Sequence, residues 1–149
     1  VSAACAAVLA AGLFLAAATV SDPLQNLVWE RRVLVVLAPT PDDARAAETR
    51  RRFDGRTCEA ADRDLTMVLA PARGEGRIDE RPLTRAEVDT LRARFRAGGK
   101  DFLVVLVGKD GGEKLRLAEP PALEQVFALI DGMPMRRAEM RAAESGCGG

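Results

Sequence analysis

Few residues in this chain could do covalent chemistry. Cysteine occurs at 5, 58 and 147, serine at 2, 21 and 145, and there is no histidine or tyrosine. Ser-His-Asp and Cys-His mechanisms need an imidazole base, so both are excluded, as are His-ligated metals. Two distant cysteines, Cys58 and Cys147, are too few for a structural zinc site, and no metal site is assigned. What remains is carboxylates, Lys100, Lys109 and Lys114, and many arginines. The pair Asp42-Asp43 could bind a cation or do acid-base work, but its place before a helix favours capping. No catalytic residue and no cofactor is assigned.

Charge excludes another class. Lys plus Arg number 22 and Asp plus Glu 22, so the broad positive field of a nucleic-acid binder is absent and no nucleic-acid partner is expected. The segment "GKDGG" at 108–112 lacks the spacing of a phosphate loop and leads into another strand-like run instead of a helix.

The N-terminus differs from the rest. Residues 3–18, "AACAAVLAAGLFLAAA", are uncharged and apolar, and "TVSDP" follows. This is the pattern of a secretory signal, expected over 1–21 with its apolar region at 3–18. Roughly 16 residues is short of the ~20 needed to span a bilayer, so cleavage is favoured over a retained anchor. The strongly apolar part of this stretch follows Cys5 instead of preceding it, which argues against a lipoprotein cysteine. The expectation is an exported protein, periplasmic or extracellular, with no stable membrane span after cleavage.

The elements that must position any site come next. "RRVLVVLAP" ends an apolar run at Pro39 and Pro41 and predicts a doubly buried strand over 33–38. Asp42 or Asp43 caps a helix over about 43–53. A second strand is predicted over 63–70, followed by a charged, Gly- and Pro-bearing loop over 71–82, expected to be mobile. Thr84 and Glu87 form a capping box, with Leu83 and Val88 placed as a hydrophobic staple, and Val88, Leu91 and Phe95 make the stripe of a helix. "FLVVLV" at 102–107 is the third strand. Asp110-Gly111 predicts a hairpin into an antiparallel strand at 113–117. Leu123, Val126, Phe127 and Ile130 make the core face of a last helix.

That order, β-α-β-α-β-β-α, is α/β and matches a thioredoxin-like three-layer sandwich over 22–145. Two right-handed crossovers would give three parallel strands, and the hairpin would complete a mixed four-stranded sheet. A flavodoxin-like sheet ranks second, because it would need another parallel strand where the hairpin stands. In a redox member of such a fold the turn after the first strand carries the reactive cysteine. Here it reads "APTPDD", with no cysteine and two carboxylates. Cys58 falls at the opposite end of the sheet. A straight last helix would carry Cys147 away from it, so free cysteines are favoured; a fold-back after Pro134 would permit a bridge. Trp29 is read as a lid over the core edge in preference to an exposed binding aromatic, and Arg63-Asp64 as strand-start polarity in preference to an ion pair.

At "IDGMPMRRAEMR", a straight helix would carry Arg137 and Arg141 onto the inward face, so a break at Gly132-Met133-Pro134 and a restarted helix are predicted. Met133 and Met140 could still pack against the body. Arg136, Arg137, Glu139, Arg141 and Glu144 would then form a short charged helix. It is either a solvated end or a docking element for an acidic partner. Residues 146–149 are expected to be a flexible tail.

Four of these segments, "RRVLVVLAP", "RDL", "LVGKDGGEKLR" and "LIDGMPMRRAEMR", together resemble the domain of unknown function DUF4174 over about residues 27–144. The resemblance implies a fold similar to thioredoxin and peroxiredoxin without their reactive cysteines. It also implies kinship with domains in sushi-repeat-containing extracellular proteins of animals. It implies no established activity. The function expected is an exported, non-catalytic module that binds a protein or an envelope component. The alternative is an atypical thiol redox or peroxiredoxin-like enzyme using Cys58.

Overall fold

The computed structural model describes residues 19–143 and Cys147. The expected signal region 3–18, Glu144 and the tail other than Cys147 lie outside the described residues.

A 3-10 turn at Gln25–Leu27 leads into β1 (Arg32–Ala38), α1 (Ala44–Asp54), α2 (Thr57–Asp62) and β2 (Leu65–Pro71). Then follow β3 (Gly76–Ile78), β4 (Arg81–Leu83), α3 (Arg85–Arg94), β5 (Leu103–Val107), β6 (Glu113–Leu117), α4 (Leu123–Asp131) and α5 (Pro134–Ala142). The protein is α/β, with a mixed six-stranded sheet in the order β4-β3-β2-β1-β5-β6.

Every residue of β1 is buried, as its unbroken apolar run requires of a central strand covered on both faces. Side chains alternate across it. Leu34 and Val36 join Phe53, Val126, Phe127 and Ile130 on one face, whereas Val33, Val35 and Leu37 join Leu24, Val88, Leu91 and Phe95 on the other. The sheet is thus the middle of three layers.

Asp43 caps α1, accepting from Arg45 N–H at 3.0 Å. The capping box of α3 is complete, with Glu87 N–H donating to Thr84 Oγ1 and Thr84 N–H to Glu87 Oε2. The chain breaks at Gly132 and restarts with Pro134 in the first turn of α5.

Three expectations about the sheet are corrected. It has six strands, not four, because residues 71–82 hold the β3–β4 hairpin instead of a loop. These strands are three residues each, too short for a period-2 signal amid Gly, Pro and charge. Gly76 is needed there, since a Cβ would meet Val88 Cγ2 at 2.5 Å and Leu69 O at 2.9 Å. Second, a short α2 intervenes before β2.

Third, β5 runs antiparallel to β1, so only β1 and β2 make a parallel pair with a helical crossover. The reason lies in α3. Near its start Arg85 reaches Pro71 O at 3.1 Å, and near its end Arg92 reaches Ala38 O at 3.1 Å and Ala70 O at 2.9 Å. The same Arg92 guanidinium holds Gly98 O at 2.6 Å, so the loop after α3 returns to the C-terminal ends of β1 and β2, and β5 runs back from there with Leu103 opposite Leu37.

Candidate functional site

The β1–α1 turn, residues 39–43, contains no cysteine. Its Asp43 is paired with Arg45, whose side-chain hydrogen bond holds the Asp43 carboxyl below its ordinary value. Behind the turn, Arg92 is 8% exposed and spends its guanidinium on Ala38 O, Ala70 O and Gly98 O. This end of the sheet is closed by a structural cation that sequence periodicity did not reveal.

The opposite end is where the charged helix lands. Arg32, the first residue of β1, is 1% exposed and directs its fork at Glu139, with contacts of 3.0 and 3.2 Å. Lys109, just past β5, donates to Glu139 Oε1 at 2.7 Å and to Asp64 Oδ2 at 2.7 Å. Arg136 is 4% exposed; it donates to Asp62 O at 2.6 Å and to the Asp62 carboxylate at 2.5 Å, and pairs with Asp131 at 3.1 Å. Arg63 meets the same Asp131 at 2.7 Å. Four cations and four carboxylates thus lock α5 onto the N-terminal ends of β1 and β2.

Burial acts to raise the pKa of Glu139, but hydrogen bonds from Arg32 and Lys109 outweigh it and hold the carboxyl below its usual value. Asp131 follows the same logic, with Arg63 and Arg136 overcoming burial. For Arg136, burial works against the charge while Asp131 and Asp62 more than restore it.

Of the four residues expected to act in docking, Arg136 and Glu139 are therefore anchors facing the body, while Arg137 and Arg141 are exposed. The surface of α5 is inverted: its inner stripe is charged, and Met135 and Met140 are exposed. Met133 packs against the core as expected, and Met140 does not. Arg63 and Asp64 are both ion-paired, with Asp131 and Lys109 and not with each other. Trp29 is not a lid, for its side chain is 64% exposed.

Cys58, on α2, is bonded to Cys147, with the Cα atoms 5.9 Å apart. This corrects the reading of free cysteines. The break at Gly132 turns α5 back toward α2, where Arg136 holds Asp62, on the same short helix as Cys58. Used this way, Cys58 is not available as a lone thiol.

A cavity of about 210 Å³ opens beside α1 and the β3–β4 hairpin. Val36, Phe53, Met67 and Leu69 line it with Arg50 and Asp79, so it shows no single charge preference. Among the described residues no group of His, Cys, Asp and Glu side chains could hold a metal, and no helix is long and apolar enough to cross a membrane.

Against known families, the model of the domain of unknown function DUF4174 matches residues 23–139. The chain belongs to the DUF4174 family. That match spans all eight residues of the lock: Arg32, Asp62, Arg63, Asp64, Lys109, Asp131, Arg136 and Glu139.

Among curated proteins, this DUF4174 chain is 31% identical over 127 residues to Sushi repeat-containing protein SRPX2 of Rattus norvegicus, covering 79% of the chain and 27% of that protein. It is 24% identical over 138 residues to Coiled-coil domain-containing protein 80 of Danio rerio, covering 82% of the chain and 16% of that protein. The human SRPX2 is 28% identical over 120 residues, covering 78% of the chain and 26% of that protein. The chain thus spans about a quarter or less of the length of these relatives. No solved structure matches.

Proposed function

We propose that this DUF4174 domain is an exported, non-catalytic, thioredoxin-like module that binds a protein or envelope component through α5. The observation that carries the reading is the division of labour on that helix. Arg136 and Glu139 fasten it from within, and Arg137 and Arg141 are left on its outer side. A guanidinium pair one turn apart suits an acidic partner. The parallel β1–β2 unit, the C-terminal β5–β6 hairpin and the helices on both faces support the thioredoxin-like assignment. The turn after β1 has no cysteine to make it a redox site.

Export is supported by the Cys58–Cys147 bond, since disulfides persist in oxidising compartments, and by the signal-like sequence at 3–18. The periplasm or the extracellular space is the proposed location.

Site-directed photo-cross-linking tests the reading. A photoreactive residue at the exposed position Ala138 on α5 should give a discrete adduct with a native envelope fraction. One at the exposed Lys100, in the loop before β5, should not. Equal labelling from both positions, or none from Ala138, counts against docking through α5.

A further inference from the structure

Trp29 combines an unfavoured backbone conformation with an exposed side chain. Its φ is 69°, in the left-handed region that a bulky aromatic rarely adopts. Its N–H donates to Lys109 O at 2.6 Å, which fixes the turn. The indole nevertheless stays 64% exposed and contributes little burial. Glycine or asparagine would make this turn with less strain. Strain held at an exposed aromatic points outward, to a contact beyond the chain.

Lys109 joins this residue to α5. Its carbonyl holds Trp29, and its ammonium holds Glu139 Oε1 at 2.7 Å. Met140, next to Glu139, is among the exposed large apolar side chains, as is Trp29. Arg137 precedes Met140 by one helical turn and Arg141 follows it. Next to these residues in sequence, the exposed charges without an opposite-charge partner among the described residues are Arg31, Arg137 and Arg141 against Glu30, while Lys109 neutralises Asp64 and Lys114 neutralises Asp110. In a chain whose net charge is zero, this is a local positive excess. Trp, Met and Arg are also the residues enriched at protein interfaces.

Resting on the reading of α5 as a docking element, we propose that Trp29 and Met140 form the apolar centre of a surface that binds an acidic segment of a partner protein. Arg137 and Arg141 form its charged rim. The segment carries an apolar anchor residue for the indole and thioether, flanked by carboxylates for the arginines.

Trp29 is the only tryptophan, and tyrosine is absent, so intrinsic emission reports on this one position. The test pans a random peptide library against the full chain with its disulfide intact. Enriched peptides should be net acidic with an apolar residue and should move Trp29 emission to shorter wavelength. They should bind about tenfold or more weakly to Trp29→Ala and to the double variant Arg137→Glu/Arg141→Glu, as expected for an anchor and its rim. Trp29→Asn, which keeps the left-handed turn, should lose binding equally and controls for folding. Enrichment of neutral or basic peptides, or acidic-peptide binding unaffected in these variants, overturns the proposal. So does saturable binding to phosphatidylglycerol vesicles without peptide binding, which would assign the surface to lipid. If cross-linking from Ala138 succeeds while the Trp29 variants capture the same partner normally, docking through α5 stands and the role of Trp29 falls. If cross-linking from Ala138 also fails, the docking reading itself is gone.

Discussion

Arg32 and Glu139 are 107 residues apart in sequence and meet in a two-pronged ion pair, at 3.0 and 3.2 Å, beneath α5. Arg32 is buried at the start of the central strand, and Glu139 supplies its carboxylate partner. Because the inner face of α5 offers little apolar burial, this pair and its neighbours decide whether the helix stays on the body.

Glu139→Gln should therefore be strongly destabilising. It leaves a buried guanidinium without its counter-charge, an effect of about 3–5 kcal/mol when a buried pair is broken. Arg137→Gln, on the exposed side, should change stability by no more than about 0.5 kcal/mol. Urea denaturation of both variants checks this. Equal, small effects would mean that the lock contributes little.

Acid should loosen the lock. Glu139 and Asp131 have pKa values below their unfolded references of 4.5 and 3.8. A depressed carboxylate contributes stability that is present above the unfolded value and lost as pH falls through the folded one. Stability should accordingly be steady near neutrality and decline below about pH 4.5, and Glu139→Gln should flatten that slope. Lys109 works in the opposite sense: its pKa is raised from 10.5, so its contribution is complete below that pH and lost only in strong base. Thermal melts across pH 3 to 7 measure the slope, and a pH-independent wild type would contradict the assignment.

The disulfide closes a long loop, with 89 residues separating Cys58 and Cys147. Chain entropy then gives about 4–5 kcal/mol of stabilisation. Cys58→Ser, or reduction of the wild type, should lower the melting temperature substantially, and reductant should not affect the variant further. Thiol titration of the unreduced protein should find neither Cys58 nor Cys147 reactive.

Trp29→Asn should be neutral or stabilising despite removing a large aromatic. A bulky residue held in the left-handed region costs on the order of 1–3 kcal/mol, and asparagine tolerates that conformation. The exposed indole has little burial to lose. A drop in melting temperature would show that Trp29 serves the fold itself.

Much of the architecture was legible because its signals are local. The apolar runs of β1, β2 and β5 fix those strands. Thr84 with Glu87 announces α3, Asp110-Gly111 the hairpin, and Gly132 with Pro134 the break before α5. Three-residue strands such as β3 and β4 are too short to leave a period. The site was legible only in part. Arg136, Arg137, Glu139 and Arg141 stand out as a charged helix, but nothing local says which of them turn inward. Those directions depend on Asp62, Lys109 and Arg32, which come from three other segments.

The sequence by itself determined the α/β class, the main strands, the caps, the absence of histidine and the cysteine-free turn after β1. Each follows from residue type and short-range spacing, where covalent geometry and nearest-neighbour hydrogen bonds dominate. The tertiary structure alone decided the reversed direction of β5, the six-strand width, the Cys58–Cys147 bond, the inward turn of Arg136 and Glu139, and the exposure of Trp29. These depend on which distant segments meet. Such meetings are set by packing over the whole sheet and by pairing of buried charges, neither of which leaves a periodic mark on the chain.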